Sequence, residues 1–120
     1  MSKRQGFAAE TVVAQSLIND NFNILERNYT IRGGEIDLIA LKNDLIVFVE
    51  VKQRTNYYSD MSELITFSKQ KKIINTAKQF LAKHDYSDKV LRFDVALLEG
   101  PLNNPVLTYI SHAFSESDSL

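Results

Sequence analysis

The stretch GGEIDLIALKNDLIVFVEVKQR, residues 33–54, decides how this chain folds. Its two apolar runs, Glu35–Leu41 and Leu45–Gln53, are separated only by Lys42-Asn43-Asp44, polar residues suited to a tight reversal. That pattern is a β-hairpin. In the second run Leu45, Val47, Val49 and Val51 line one face, while Ile46 and Phe48 begin the other. Apolar residues on both faces describe a central strand covered on both sides. Arg32-Gly33-Gly34 breaks the chain ahead of the hairpin, and Ile24–Tyr29 before that break reads as a further strand.

The same hairpin carries charges where its hydrophobic pattern has no place for them. Side chains alternate along a strand, so Glu50 and Lys52 continue the face begun by Ile46 and Phe48, and Asp37 shares its face with Ile39 and Leu41. An even loop, either Asn43-Asp44 or Lys42–Leu45, pairs Leu41 with Ile46 and Asp37 with Glu50. Directly opposed, the two carboxylates would have Cβ atoms about 5 Å apart. An odd loop without a bulge would send them to opposite faces. Opposed carboxylates repel, more strongly when partly buried, and something must compensate. Lys52 is one candidate and a divalent cation is another. Mg²⁺ takes few protein carboxylates, keeps several waters and binds phosphate oxygens, which suits such a pair.

Outward from the hairpin, Gln5 to about Ile18 has Ala9, Val13 and Leu17 at four-residue steps and reads as a helix, closed by the turn-forming cluster Asn19–Asn23. Glu10 lies in line with its apolar stripe, a third anomalous carboxylate beside Asp37 and Glu50. A helix-start glutamate stabilised by the macrodipole explains it alone; the convergence of three anomalies points to a site. After the polar stretch Thr55–Ser62, a helix runs from about Phe67 to His84 with Ile73, Ala77, Phe80 and Leu81 inward, lysines outward, and Thr66 or Ser68 as its cap. Val90–Leu98 is another strand. Pro101 and Pro105 bracket a turn into Val106–Ile110, an edge strand. The order α-β-β-β-α-β-β describes an α/β sandwich, a central mixed sheet flanked by helices. Residues 1–114 make one domain, followed by a frayed acidic tail at 115–120.

Fourteen basic and fifteen acidic residues give a net charge of −1, which excludes an indiscriminate polycation. Between Lys69 and Arg92, however, seven basic residues face two acidic ones. Charge alone favours a solvated helix face there, with a phosphate-facing surface as the alternative. The absence of cysteine removes disulfides, thiol nucleophiles and Cys-based zinc sites, and two histidines are too few for a His-rich metal site. The longest apolar run, Leu45–Val49, is far shorter than the ~20 residues that span a bilayer, and Glu10 interrupts any signal-peptide stretch. A cytoplasmic protein with no membrane partner is expected.

With these residues in view, the string from Gly33 to Arg54 resembles the signature of the restriction-endonuclease-like PD-(D/E)xK nuclease superfamily, with Asp37 followed by Glu50-Val51-Lys52. More narrowly, QGFAAE, ILERNY, GGEIDLI, FVEVKQR and RFDV, in that order between Gln5 and Leu98, resemble the YraN family of small bacterial proteins of endonuclease-like fold. The resemblance implies a nucleic-acid-binding protein that hydrolyses DNA phosphodiesters with Mg²⁺ or Mn²⁺, with branched or distorted DNA as substrate. The alternative is a non-catalytic binding or scaffolding module on the same fold. It implies that Asp37 and Glu50 hold the metal, with the Val51 carbonyl as a further ligand. Lys52 would orient the attacking water, and Glu10 would complete the site as in related junction-cleaving nucleases. A homodimer would serve to cut two strands.

The chain departs from the family pattern after that segment, where residues 55–72 contain no glycine. Tyr57 and Tyr58 there would either stack on bases or pack a loop. Lys69, Lys71 and Lys72 crowd the first turns of the second helix, where they disfavour the helix but concentrate positive potential, and with Arg54 they are read as phosphate contacts. Asp94 is read as a structural ion pair with Arg92, and His84 as a helix-end residue without catalytic role.

Overall fold

Alternating apolar residues and two short reversals make residues 23–53 a three-stranded meander. Asn23–Ile31 (β1), Gly34–Lys42 (β2) and Leu45–Gln53 (β3) are joined by Arg32-Gly33 and Asn43-Asp44. Gly33 and Asn43 take left-handed backbone conformations (φ +96° and +55°), which glycine and asparagine tolerate best. The structure is a computed structural model and describes residues 3–53, 61–86 and 88–116. Arg54, Tyr57 and Tyr58, read above as nucleic-acid contacts, lie outside the described residues, as does the end of the tail.

Helix α1 (Lys3–Asn19) precedes the meander. A short helix α2 (Met61–Leu64), α3 (Phe67–Ala82), β4 (Val90–Glu99) and β5 (Val106–Phe114) follow it. The sheet order is β1-β2-β3-β4-β5, with β3 and β4 parallel and the other neighbours antiparallel. This is the expected mixed sheet with β3 at its centre and β5 at an edge. The crossover from β3 to β4 carries α3 onto one face of the sheet, as a parallel pair requires. There α3 packs Ile73, Ala77 and Phe80 against Ile39, Ile46, Phe48 and Val95. On the other face α1 packs Ala9, Val13, Ala14 and Leu17 against Leu38, Ala40, Val47 and Val49. None of the helices among the described residues is long and apolar enough to cross a membrane.

Three features differ from the sequence reading. The turn α2 falls at the end of a stretch read as polar loop, because Leu64 and Ile65 are buried under α3. Gln70 and Thr76, polar residues on α3, are buried too: Gln70 Nε2 donates to the Ile65 carbonyl and Thr76 Oγ1 to the Lys72 carbonyl. Finally, β5 runs on to Phe114, which is buried and stacks on Phe93 at 5.3 Å. That extension passes an irregularity between Phe93 and Val95, where His112 has a positive φ of 54°. The fully buried Asp94 holds it: its carboxylate accepts from Arg92 at 2.9 and 3.0 Å, from the Tyr109 hydroxyl at 2.5 Å and from the His112 N–H at 2.9 Å. Asp94 is thus the structural ion-pair partner the sequence suggested, and it also satisfies a strand irregularity. Burial and the Asp94 hydrogen bond push the Tyr109 hydroxyl well above its usual range, so it stays protonated.

Candidate functional site

Strand residues two apart should share a face, yet Arg27 hydrogen-bonds α1 while Tyr29 packs its ring edge-on to Phe80 of α3. Opposite them, Leu38 joins the cluster under α1 and Ile36 the cluster under α3. Both strands therefore change face at one point. Register runs Arg27↔Leu38 and then Tyr29↔Ile36, skipping Asn28 and Asp37, and Asn28 has a positive φ of 51°. Asp37 sits at this twist.

The β2–β3 register is the one expected, with Leu41 opposite Ile46, but the ladder ends at Leu38↔Val49. Asp37 and Glu50 come one step beyond the last paired residues instead of forming a rung. Where a backbone carbonyl would have continued the ladder, the Asp37 carboxylate accepts the Val51 N–H at 2.8 Å. The strands open there, and Asp37 and Glu50 line one cavity of about 130 Å³ with Gly34, Glu35, Lys69, Lys72 and Ile73.

The walls of this cavity come from three places. Strand β2 contributes Asp37 and Glu35, β3 contributes Glu50, and the first turns of α3 contribute Lys69 and Lys72. Gly34 permits the approach of α3, since a Cβ there would collide with Thr76 Oγ1 and lie 3.1 Å from the Lys72 carbonyl. Thr66 caps α3 by accepting the Lys69 N–H at 3.2 Å, which sets Lys69 on the turn facing the cavity. Its ammonium lies 2.8 Å from Glu50 Oε1. The side chain that compensates Glu50 is thus Lys69 and not the expected Lys52, which acts on Glu50 only at longer range. Nothing in the linear pattern assigns Lys69 to Glu50, because they meet only through the crossover.

The electrostatics follow from burial. Glu50 is 7% exposed, and desolvation, then the nearby Asp37 charge, push its pKa up to about 7 despite Lys69 and Lys52. Asp37 is also raised, by desolvation and then Glu35, against the Val51 N–H, Lys69 and the neighbouring Glu10. Glu10, buried on α1, is raised by desolvation and by Asp37, with Asn28 and Arg27 opposing. Burial works against the Lys69 charge, but the hydrogen bond and charge of Glu50, with Asp37 and Glu35, outweigh it and raise Lys69.

The sequence-assigned residues divide accordingly. Asp37 and Glu50 meet in one cavity, whereas Glu10, on α1, lies outside its lining and feels the Asp37 charge from there. Val51 is bound to Asp37 through its N–H, and Lys52 is half-buried at the end of β3. Of the helix lysines, Lys69 and Lys72 line the cavity and Lys71 is exposed away from its lining. Glu35 and Gly34 also line the cavity; the linear pattern marks Gly34 only as a chain break and gives Glu35 no special place, although both stand beside Asp37 in the motif.

A divalent metal is implied by the endonuclease resemblance, and the donors can be tested against it. Among the described residues no group of three His, Cys, Asp or Glu side chains is arranged to hold a metal ion. The cavity instead offers two desolvated, mutually repelling carboxylates, and Glu10 keeps one buried oxygen, Oε1, without a hydrogen-bond partner. This fits a cation held by few protein ligands and completed by water and phosphate.

Comparison with known proteins places these residues in a family. The family described as "Uncharacterised protein family UPF0102" matches residues 9–98. The chain belongs to the UPF0102 (YraN) family. It is 40% identical to the UPF0102 protein of Nitrosomonas europaea over 114 residues, covering 94% of this chain and 95% of the relative. A UPF0102 protein of Clostridium botulinum is 41% identical over 117 residues, covering 94% and 95%. The UPF0102 protein of Clostridioides difficile is 39% identical over 107 residues, covering 86% and 94%. The UPF0102 match contains Glu10, Asp37, Glu50, Lys52 and the lysines of α3; β5 lies beyond it.

Proposed function

We propose that this chain is a divalent-metal-dependent endonuclease that hydrolyses DNA phosphodiester bonds, with branched or distorted DNA as its substrate class. The observation that carries this reading is the shared cavity. Asp37 and Glu50, both desolvated, stand beside Lys69 and Lys72, so one small opening offers a seat for a cation and cationic groups for a phosphate. Asp37 and Glu50 would hold Mg²⁺ or Mn²⁺ with the Val51 carbonyl, and Glu10, whose buried Oε1 has no hydrogen-bond partner, would complete the metal site directly or through water. When bound, the metal supplies Lewis-acid polarisation of the phosphate and a more acidic water.

The chain's own groups do the rest. The Val51 N–H fixes the Asp37 carboxylate. Lys52, two residues beyond Glu50 on β3, orients the attacking water and balances charge growing on the phosphate. Lys72, Lys71 and Arg54 bind flanking phosphates. Branched DNA as the preferred substrate, and a dimer as the cutting unit, rest on analogy with junction-cleaving nucleases of related fold.

One observation favours a second reading, a non-catalytic nucleic-acid-binding module: Lys69 already neutralises Glu50. A nicking assay with Mn²⁺ or Mg²⁺ on duplex, single-stranded, flap and four-way DNA separates the two. Metal-dependent cleavage that Lys52→Ala abolishes, with DNA affinity retained, supports the endonuclease. Binding without cleavage of any substrate supports the module, and neither binding nor cleavage removes nucleic acid as the partner.

A further inference from the structure

We propose that Lys69 is a tethered stand-in for the divalent cation, released from Glu50 onto a nucleic-acid phosphate when the cation enters, so that cation and nucleic acid bind cooperatively. The inference rests on the endonuclease reading and adds a positioning role for a residue outside the Asp37/Glu50/Lys52 motif.

Three observations carry it. The Lys69 ammonium is 2.8 Å from Glu50 Oε1, in the same cavity whose Asp37 and Glu50 carboxylates would hold a cation. Two positive charges sharing the Glu50 carboxylate would repel strongly in a partly desolvated site, so a cation on Glu50 and the ammonium in its present place exclude one another. Secondly, the two partners differ in freedom. Glu50 is 7% exposed on the central strand, while the Lys69 side chain is 48% exposed on a flexible stem. The lysine is the member able to move.

Thirdly, the displaced ammonium has somewhere to go. Lys69 stands in the first turns of α3, where Lys72 lines the same cavity and Lys71 is exposed nearby, an arrangement that favours an anion. A phosphate at the helix end draws Lys69 away from Glu50 and leaves two carboxylates short of a counter-charge. That raises their affinity for the cation. By linkage the cation raises affinity for the phosphate by the same factor. In the absence of substrate the lysine screens the carboxylates and keeps cation affinity low.

Mn²⁺ titrations followed by the electron paramagnetic resonance of the free ion test this. They are made at about pH 8.5, well above the carboxylate range, with and without a phosphorothioate DNA hairpin. The proteins compared are wild type, Lys69→Met, which keeps the stem without the charge, and Lys69→Arg, which keeps the charge. Without DNA, Lys69→Met should bind Mn²⁺ about tenfold more tightly than wild type, and Lys69→Arg should resemble wild type. Adding DNA should tighten Mn²⁺ binding to wild type about tenfold, within the usual range of coupling between sites, and scarcely change Lys69→Met. Equal or weaker Mn²⁺ binding by Lys69→Met without DNA overturns the stand-in role and leaves the metal-dependent reading intact. Absence of Mn²⁺ binding in all three proteins, with and without DNA, overturns both.

Discussion

The Asp37 carboxylate on β2 accepts the backbone N–H of Val51 on β3 at 2.8 Å, where the ladder between the two strands has already ended. A side chain thereby takes over the work of a backbone carbonyl and holds open the strand ends that frame the cavity. Because the accepting atom is an oxygen, an asparagine can replace it and a hydrophobic side chain cannot.

Asp37→Asn should therefore match or exceed the wild type in stability when metal is removed, since it keeps an acceptor for Val51 and removes one of two repelling charges. Asp37→Ala should be less stable by about 1–3 kcal/mol, the usual effect of orphaning a buried donor. Thermal melting with EDTA decides this comparison. A Mn²⁺ titration should then raise the wild-type melting temperature and leave Asp37→Asn nearly unchanged. Equal metal-induced shifts in the two proteins would remove Asp37 from the ligand set.

The buried Glu50 makes a pH prediction. Its folded pKa, about 7, lies above the ordinary carboxylate value near 4.5. Between those values the folded state binds more protons than the unfolded chain, so Glu50 lowers stability as pH rises from about 4.5 to 7. The raised carboxyls of Asp37 and Glu10 act in the same direction. Glu50→Gln should lose the Glu50 share, so its metal-free stability relative to wild type should climb across that window by about 2–3 kcal/mol. Urea unfolding in EDTA at several pH values measures the difference; parallel pH profiles would mean that Glu50 ionises normally.

Gly34 controls how closely α3 seats on β2. In Gly34→Ala the added methyl would meet Thr76 Oγ1 and the Lys72 carbonyl, pushing the helix off the strand, with an expected loss of about 1–3 kcal/mol. Removing the obstructing hydroxyl should recover part of the loss, because the Thr76 Cβ lies at an ordinary 3.5 Å. The double variant with Thr76→Ala should consequently be more stable than the two single effects sum to. Additive effects in this cycle would show that Thr76 is not what confines Gly34.

Lys71 and Lys72 are exposed on the first turns of α3 and available to phosphates. Neutralising both should weaken binding to DNA of every sequence and lower the log–log salt slope by about 0.9 for each duplex phosphate that is no longer neutralised. Fluorescence anisotropy over a salt series provides the slope. An unchanged slope would return these lysines to a solvated helix face.

Much of the architecture is legible in residues 33–54 and their surroundings. Period-two alternation, a two-residue Asn43-Asp44 reversal and apolar residues on both faces of Leu45–Gln53 are local properties, and they determine the hairpin, its register and the central place of β3. They also expose Asp37 and Glu50 as charges at odds with their surroundings, since a carboxylate among buried aliphatics contradicts the pattern wherever the rest of the chain goes. The charge pairings at the site needed tertiary structure. Lys69 reaches Glu50 only because the crossover sets α3 over the sheet at a depth that Gly34 allows. Asp37 leaves its expected rung because β1 and β2 change face together at Asn28, a twist that neither strand's own alternation announces. Asp94 likewise serves residues of β4 and β5 at once. Local patterning states which side chains must be buried, whereas the partner of a buried charge is chosen by whichever element packing brings alongside it.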